Sequence, residues 1–282
     1  MMQAALDVCA DARDFVDSRI GCEVGLDYRI VRHLASGGMA NVFLAEHTQH
    51  GGRAAVKFID ARSGAPISLL QHEARVLARL RHPNVVRPLE LGRTRAGSHY
   101  LLLEYVRGID LAEWLTLARP TRARARWLEV LKNLAAAIDY LHVSGFVHAD
   151  IKPSNVMFDP NAGDKVTLID FGLAFERLHA SSLMAGHGTP GYMAPEQVSS
   201  GACGPASDRY ALAVVAYELL TGVALAPQSS GAQRVGAARS RFDLSGLQNA
   251  YAALVPVFKR ALHDDPDARF DSARAFVAAL AS

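Results

Sequence analysis

The strongest constraint on the fold of this chain is a change of pattern at Gly108. Ahead of it, short segments of strand character predict β-strands over residues 28–34, 41–47 and 53–59, with Gly37-Gly38 and Gly51-Gly52 as the turns between them. Leu69, Leu70, Ala74, Leu77 and Leu80 fall near one face at helical spacing, which predicts a helix over 67–80. Pro83, with no backbone N–H, prevents its continuation. Two more strands are expected over 85–93 and 98–105. Beyond Gly108, residues 111–118, 123–143, 206–221, 250–263 and 272–281 read as helices, with short apolar strands near 156–158 and 166–169. Strands followed by helices predict an α+β chain, with a small β-rich lobe carrying one main helix and then a larger, mostly helical lobe. Residues 1–27 read as an N-terminal extension with one short helix around 4–16, and 226–240, rich in Ser, Gly, Ala and Gln, as a loop.

Composition narrows the partners. The 282 residues suit one large domain or two lobes, and 50% hydrophobic residues suffice for a sizeable core. A balance of 30 basic against 28 acidic residues leaves +2, so nothing in the charge calls for nucleic acid or an anionic membrane. Arg122, Arg124 and Arg126 read as a solvated helix face. Cys9, Cys22 and Cys203 are odd in number and widely spaced, which argues against a disulfide framework or a zinc site and for reduced thiols in the cytoplasm. Residues 1–17 carry early acids and no long apolar run, unlike a secretory signal, and no apolar stretch precedes the faintly lipoprotein-like residues 6–9. The apolar run 211–220 is interrupted by Glu218 and is too short to span a bilayer, so a soluble protein without membrane insertion is expected.

The chemistry lies in four ordered motifs. One is Val147-His148-Ala149-Asp150-Ile151-Lys152-Pro153-Ser154-Asn155, followed by Asp170-Phe171-Gly172 behind an apolar strand. Gly188-Thr189-Pro190-Gly191-Tyr192-Met193-Ala194-Pro195-Glu196 comes next, and Ala54-Ala55-Val56-Lys57 stands far ahead of all three. A lone D-F-G triplet is weak, but the ordered set resembles the eukaryotic-type (Hanks-type) serine/threonine protein kinases of bacteria, over nearly the whole chain. The resemblance implies a two-lobed protein-kinase-like fold over 28–282, with an N-lobe at about 28–105 and a C-lobe at about 109–282. It also implies transfer of the γ-phosphoryl of ATP to serine or threonine hydroxyls of a protein substrate whose identity is not legible.

Roles follow from the resemblance, residue by residue. Asp150 would be the catalytic base and Lys152 the charge-neutralising partner, while Asn155 and Asp170 would hold Mg²⁺ or Mn²⁺, a hard cation that prefers oxygen ligands. Lys57 would contact the α- and β-phosphates, paired with Glu73 on the following helix. The phosphate loop falls on Ala35, Ser36, Gly37, Gly38, Met39 and Ala40, where alanine stands at two of the family's three glycine positions and stiffens the chain. Val42, Ala55 and Met157 would sandwich adenine, with Leu103 as gatekeeper, the backbones of Glu104 and Val106 at the ring edge, and Asp110 at the ribose. Structural expectations are a Glu196–Arg269 ion pair, Asp208 capping the catalytic-loop backbone, and a column of His148, Phe171 and Leu77.

Two departures matter. Ala149 replaces the arginine that in many relatives reads a phosphorylated activation loop, so activity without obligatory phosphorylation there is expected, with Ser181 and Ser182 as possible autophosphorylation sites and Thr189 positioning Asp150 and Lys152. After Thr221-Gly222 the usual Pro-Phe is missing, which alters the substrate-docking region. Within this fold two other readings stay open: a pseudokinase that binds nucleotide as a scaffold, favoured by the altered glycine loop, and an aminoglycoside-type phosphotransferase, disfavoured by the 188–196 segment.

Overall fold

The computed structural model describes residues 18–37, 39–59, 64–117, 124–177, 188–225, 244–247 and 251–282, with side chains of the fourth stretch described from Arg126 onward. It divides into two compact units, Met1–Arg81 with Val86–Val106, and His82–Val85 with Arg107–Ser282. The helix expected around 4–16 and the loop at 226–240 lie outside the described residues.

The first unit is built on an antiparallel sheet of β1 (Glu23–Val24), β2 (Tyr28–Ser36), β3 (Ala40–His47), β4 (Arg53–Ile59), β5 (Pro88–Arg93) and β6 (His99–Glu104), in the order β1-β2-β3-β4-β6-β5. Strand alternation decides which side chains are free for chemistry. Ala54, Val56 and Phe58 of β4 enter a core with Ile30, Phe43, Tyr100 and Leu102, so Ala55 and Lys57 face the other way. Register then sets Val42 across from Lys57 and Leu103 across from Ala55. Helix α1 (Ser68–Ala78) buries Leu70, Glu73, Val76 and Leu77.

Strand β1 falls inside the stretch read from sequence only as an extension. Residues 18–25 are tied to the sheet by backbone bonds from Gly21 N–H to Ile30 O (2.8 Å) and from Ile30 N–H to Cys22 O (2.9 Å). Gly25 N–H donates to Tyr100 Oη at 2.6 Å, and the Arg19 guanidinium lies 4.8 Å from the Phe58 ring centroid. These ties, with a 2.8 Å bond from Arg19 Nη2 to Ser98 Oγ, are isolated backbone and side-chain contacts that leave no periodicity to read.

The expected strand at 85–93 begins only at Pro88. Ahead of it, Asn84 is held inside the second unit, where its Nδ2 donates to Val166 O at 2.7 Å and its carbonyl accepts from Leu168 N–H at 2.8 Å. Val85 keeps a single bridge to Leu168.

The second unit contains three short strand pairings and a set of helices. β7 (Ile109–Asp110), β9 (Val156–Asp159) and β10 (Lys165–Leu168) form one small sheet, and β8 (Phe146–Val147) pairs with β11 (Phe175–Glu176). The helices are α2 (Leu111–Leu117), α3 (Arg124–Val143), α4 (Pro195–Ser199), α5 (Pro205–Thr221), α6 (Val255–Ala261) and α7 (Ala273–Ala281). Helix α5 is buried from Tyr210 to Leu220 on every side, the expected state of a helix apolar all round. It starts at Pro205, whose missing N–H costs nothing in the first turn, and ends at Gly222, where φ +70° closes the αL cap. The helix expected at 250–263 is α-helical only over Val255–Ala261, after a 3₁₀ turn at Ala252–Leu254. Pro256 explains the late start, since an α-helix tolerates proline in its first turn but not beyond it. Among the described residues, no helix is long and apolar enough to cross a membrane.

Candidate active site

In the first unit, β4 presents Lys57 to Glu73 of α1, with Nζ 2.7 Å from Oε2 and side-chain exposures of 12% and 2%. A glutamate this deep in the apolar face of a helix needs a cation, and the pair is strongly interdependent because removing either partner strands a buried charge. Ala35, Ser36, Gly37 and Met39 are exposed at the tip of the β2–β3 hairpin, Ala40 is half-buried, and Gly38 lies outside the described residues. Gly37 N–H donates to Ala40 O at 2.8 Å, closing a tight turn. Leu103 is buried, and Val42, Ala55, Glu104 and Val106 are half-buried. Glu104 is committed to Arg87, giving its N–H to Arg87 O and accepting Arg87 N–H at Oε1, both at 2.9 Å.

In the second unit, Asp150 is the point of convergence. Its Oδ1 accepts the Thr189 N–H (3.1 Å) and hydroxyl (2.8 Å), and its Oδ2 lies 2.7 Å from Lys152 Nζ and 3.1 Å from Asn155 Nδ2. Lys152 Nζ also donates to Thr189 Oγ1 at 2.7 Å, so Thr189 bridges the acid and the cation. Asn155 Nδ2 makes a second bond to Asp150 O at 2.9 Å. That commitment of the amide nitrogen leaves Oδ1, a hard oxygen donor, as the free end of the amide. Asn155 O accepts Ile169 N–H at 2.9 Å, which ties the asparagine to the residue just ahead of Asp170. Asp170 sits at φ +60°, a conformation that costs a non-glycine residue about 1–2 kcal/mol and marks a position held by its surroundings. Among the described residues no group of three or more His, Cys, Asp or Glu could hold a metal. By donor type, the Asn155 amide oxygen and the Asp170 carboxylate would suit a cation that takes its other ligands from phosphate and water, as Mg²⁺ does.

Beneath the loop, Asp208 of α5 is fully buried and accepts His148 N–H and Ala149 N–H, both at 2.9 Å, and a bond from His142 Nε2 at 2.8 Å. Burial opposes its ionisation, yet the His142 hydrogen bond and charge, with His148 beside it, hold its carboxyl below the usual range. His148 is fully buried, 4.8 Å from Phe171 edge to face, and accepts Asp150 N–H at Nδ1 (3.3 Å). Burial pushes its pKa down against the pull of Asp208, Asp150 and Asp170, so it packs as a neutral ring rather than shuttling protons. Glu196 and Arg269 form the expected pair, bidentate at 2.8 and 2.6 Å, with the Arg269 side chain completely buried. Asp110 pairs across strands with Met157, and its Oδ1 accepts Glu113 N–H at 2.8 Å, capping the start of α2. Leu77 is buried in the first unit. Ser181 and Ser182 lie outside the described residues.

Two polar contacts near these segments were not anticipated. Tyr192 gives its hydroxyl to Glu218 Oε2 at 2.9 Å, and Ser36 gives its hydroxyl to Asn41 Oδ1 at 2.6 Å. The signal for both was available as a polar residue inside an apolar run: Glu218 within 211–220, and Asn41 at the head of a strand.

Comparisons with known proteins agree with this geometry. The protein kinase domain family matches residues 28–278. Serine/threonine-protein kinase Pkn1 of Myxococcus xanthus is 35% identical over 286 residues, covering 96% of this chain and 40% of the relative. Serine/threonine-protein kinase PrkC of Bacillus subtilis is 35% identical over 211 residues, covering 72% of this chain and 32% of the relative. This chain thus spans well under half the length of those curated relatives. A crystal structure of the Mycobacterium tuberculosis PknI kinase domain, a C20A_R136A double mutant, superposes with a TM-score of 0.72 at 30% identity, covering 93% of this chain and 97% of that one. The fold is the two-lobed kinase fold, with a sheet-rich N-lobe and a helical C-lobe. The chain belongs to the protein kinase family, in its bacterial Hanks-type serine/threonine branch.

Proposed function

We propose that this chain transfers the γ-phosphoryl group of ATP to serine or threonine hydroxyls of a protein substrate, with Mg²⁺ or Mn²⁺. The observation that carries the reading is the convergence of Lys152, Asn155 and Thr189 on the carboxylate of Asp150. Asp150 orients the attacking hydroxyl and takes its proton as the new P–O bond forms and the bond to ADP breaks. Lys152 offsets the negative charge on the moving group. A bound divalent cation neutralises the phosphate oxygens, and Asn155 and Asp170 would hold it.

Residues expected to contact nucleotide are assigned within each unit by itself. In the first, Lys57, fixed by Glu73, meets the α- and β-phosphates, and Ala35, Ser36, Gly37, Gly38, Met39 and Ala40 cover them. Val42, Ala55 and Leu103 provide apolar surface for adenine, and the backbones of Glu104 and Val106 meet its edge. In the second, Met157 and its cross-strand neighbour Asp110 serve adenine and ribose. We assign residues 28–282 to the catalytic domain, with 28–105 as N-lobe, 109–282 as C-lobe, and 1–27 as an extension. ATP supply and the unpaired thiols of Cys22 and Cys203 favour the cytoplasm.

Activity here does not require phosphorylation of the activation loop. Ala149, at φ +68°, packs with Val147, Phe175, Leu173 and Cys203, so an apolar cluster stands where a phosphate-reading arginine would be. Pairing of Phe175 with Val147 and of Glu176 with Phe146 supports the start of the loop. A Ser181→Ala/Ser182→Ala double variant should keep its rate, and a fall of more than about tenfold would refute this point. The transferase reading itself is tested with labelled ATP, Mg²⁺ and generic protein substrates. Phosphoserine or phosphothreonine should appear and should vanish on chelation of the metal; label on small molecules alone would overturn it.

A further inference from the structure

Polar side chains bond to one another along and across the β2–β3 hairpin. Residues three apart in a regular strand point to opposite faces. His33 and Ser36 of β2 nevertheless lie 3.0 Å apart, Nε2 to Oγ. The register explains how. His33 pairs with Phe43 but Ala35 pairs with Val42, so Leu34 is an extra residue, a bulge that rotates the rest of the strand and returns Ser36 to the face of His33. Across the hairpin Ser36 pairs with Asn41, and Ser36 Oγ donates to Asn41 Oδ1 at 2.6 Å. Asn41 is 2% exposed, so its acceptor is held in place.

The direction of the chain follows from counting protons. A serine hydroxyl has one, and Asn41 receives it, so Ser36 accepts from His33, whose Nε2 must carry hydrogen. The His33 ring is itself fixed, edge to face against Phe43 at 5.2 Å. Gly37, the single glycine in register with the family pattern, is not at positive φ, and a Cβ there would make only an ordinary 3.5 Å contact with Ala40 O. At the described positions Ala35, Gly37 and Ala40 the hairpin takes no positive φ, while Ser36 and Asn41 bond across it.

We infer that His33, Ser36 and Asn41 act as positioning residues that preset the hairpin for the phosphates of ATP, an inference that rests on the nucleotide-binding part of the proposed function. The test is a double-mutant cycle on the full chain, read as the dissociation constant of Mg²⁺·ATP and as KM for ATP and for a protein substrate. His33→Phe, which removes one hydrogen bond, should weaken ATP about three- to tenfold, and Ser36→Ala, which removes that bond and the one to Asn41, at least as much. The double variant should be no weaker than the worse single one, because both remove the same bond. His33→Gln and Ser36→Thr, which keep the donor and the hydroxyl, should stay within about twofold of wild type, and KM for protein should not follow KM for ATP. Single variants that bind ATP like wild type, or a double variant whose loss is the product of the two, would overturn the positioning role. A wild-type chain that binds ATP but transfers nothing would refute the transferase reading while the same constants still judge the positioning role; one that binds no ATP overturns both.

Discussion

Thr189 gives both its backbone N–H and its hydroxyl to one oxygen of Asp150, at 3.1 and 2.8 Å. The 188–196 segment is thereby bonded directly to the expected base. Since Lys152 Nζ donates to the same Thr189 hydroxyl, one side chain holds both members of the directly paired acid and cation.

Removing that hydroxyl takes one bond from each of Asp150 and Lys152 and leaves their direct 2.7 Å contact without its third partner. Thr189→Ala should lower kcat about ten- to a hundredfold, the range of a lost charge-assisted bond in a positioned site. Thr189→Ser keeps both donors and should stay within about threefold of wild type. Rates at saturating ATP check this.

The Lys57–Glu73 pair gives a second expectation. Glu73→Ala leaves a half-buried ammonium without its carboxylate, which should reduce kcat/KM for ATP by about a hundredfold. Steady-state kinetics with varied ATP measure it.

Much of this site was legible because each motif is local in sequence and its chemistry needs fixed residue types. Asp150, Lys152 and Asn155 lie within one short segment, and Glu196–Arg269 could be paired from the motifs at either end. Contacts whose partners carry no motif were not legible. The bulge at Leu34 changes a face without changing a residue type, so the His33–Ser36 contact leaves no trace in the alternation. Residues 18–25 adhere through backbone bonds and a few isolated side-chain contacts, and Pro88 rather than Val85 opens its strand because Asn84 is drawn to Val166 and Leu168.

Glu218 supplies a pH test. Burial raises its carboxyl pKa above the usual value, opposed by the Tyr192 hydroxyl and the Leu225 backbone N–H. A raised pKa means the folded state binds the proton more tightly, so this group favours folding while protonated and loses that contribution as pH rises from 4.5 through the folded value. Glu218→Gln, which can still accept from Tyr192, should match wild type near about pH 4 and exceed its stability near about pH 8. Urea midpoints at the two pH values decide it.

Arg269 anchors Glu196 while its remaining donors reach His263 O, Ala206 O and Asp264 O. Arg269→Met strands the Glu196 carboxylate and should cost about 3–5 kcal/mol of stability, whereas the double change with Glu196→Leu should recover part of it. Denaturant unfolding of the two variants measures the difference.

The central claim is that Asp150 serves chemistry rather than nucleotide binding. Single-turnover transfer from labelled Mg²⁺·ATP to a protein substrate should fall by at least about a hundredfold in Asp150→Asn while ATP affinity stays within about threefold of wild type. Equal rates in the two proteins, or no transfer by wild type despite bound ATP, would contradict it.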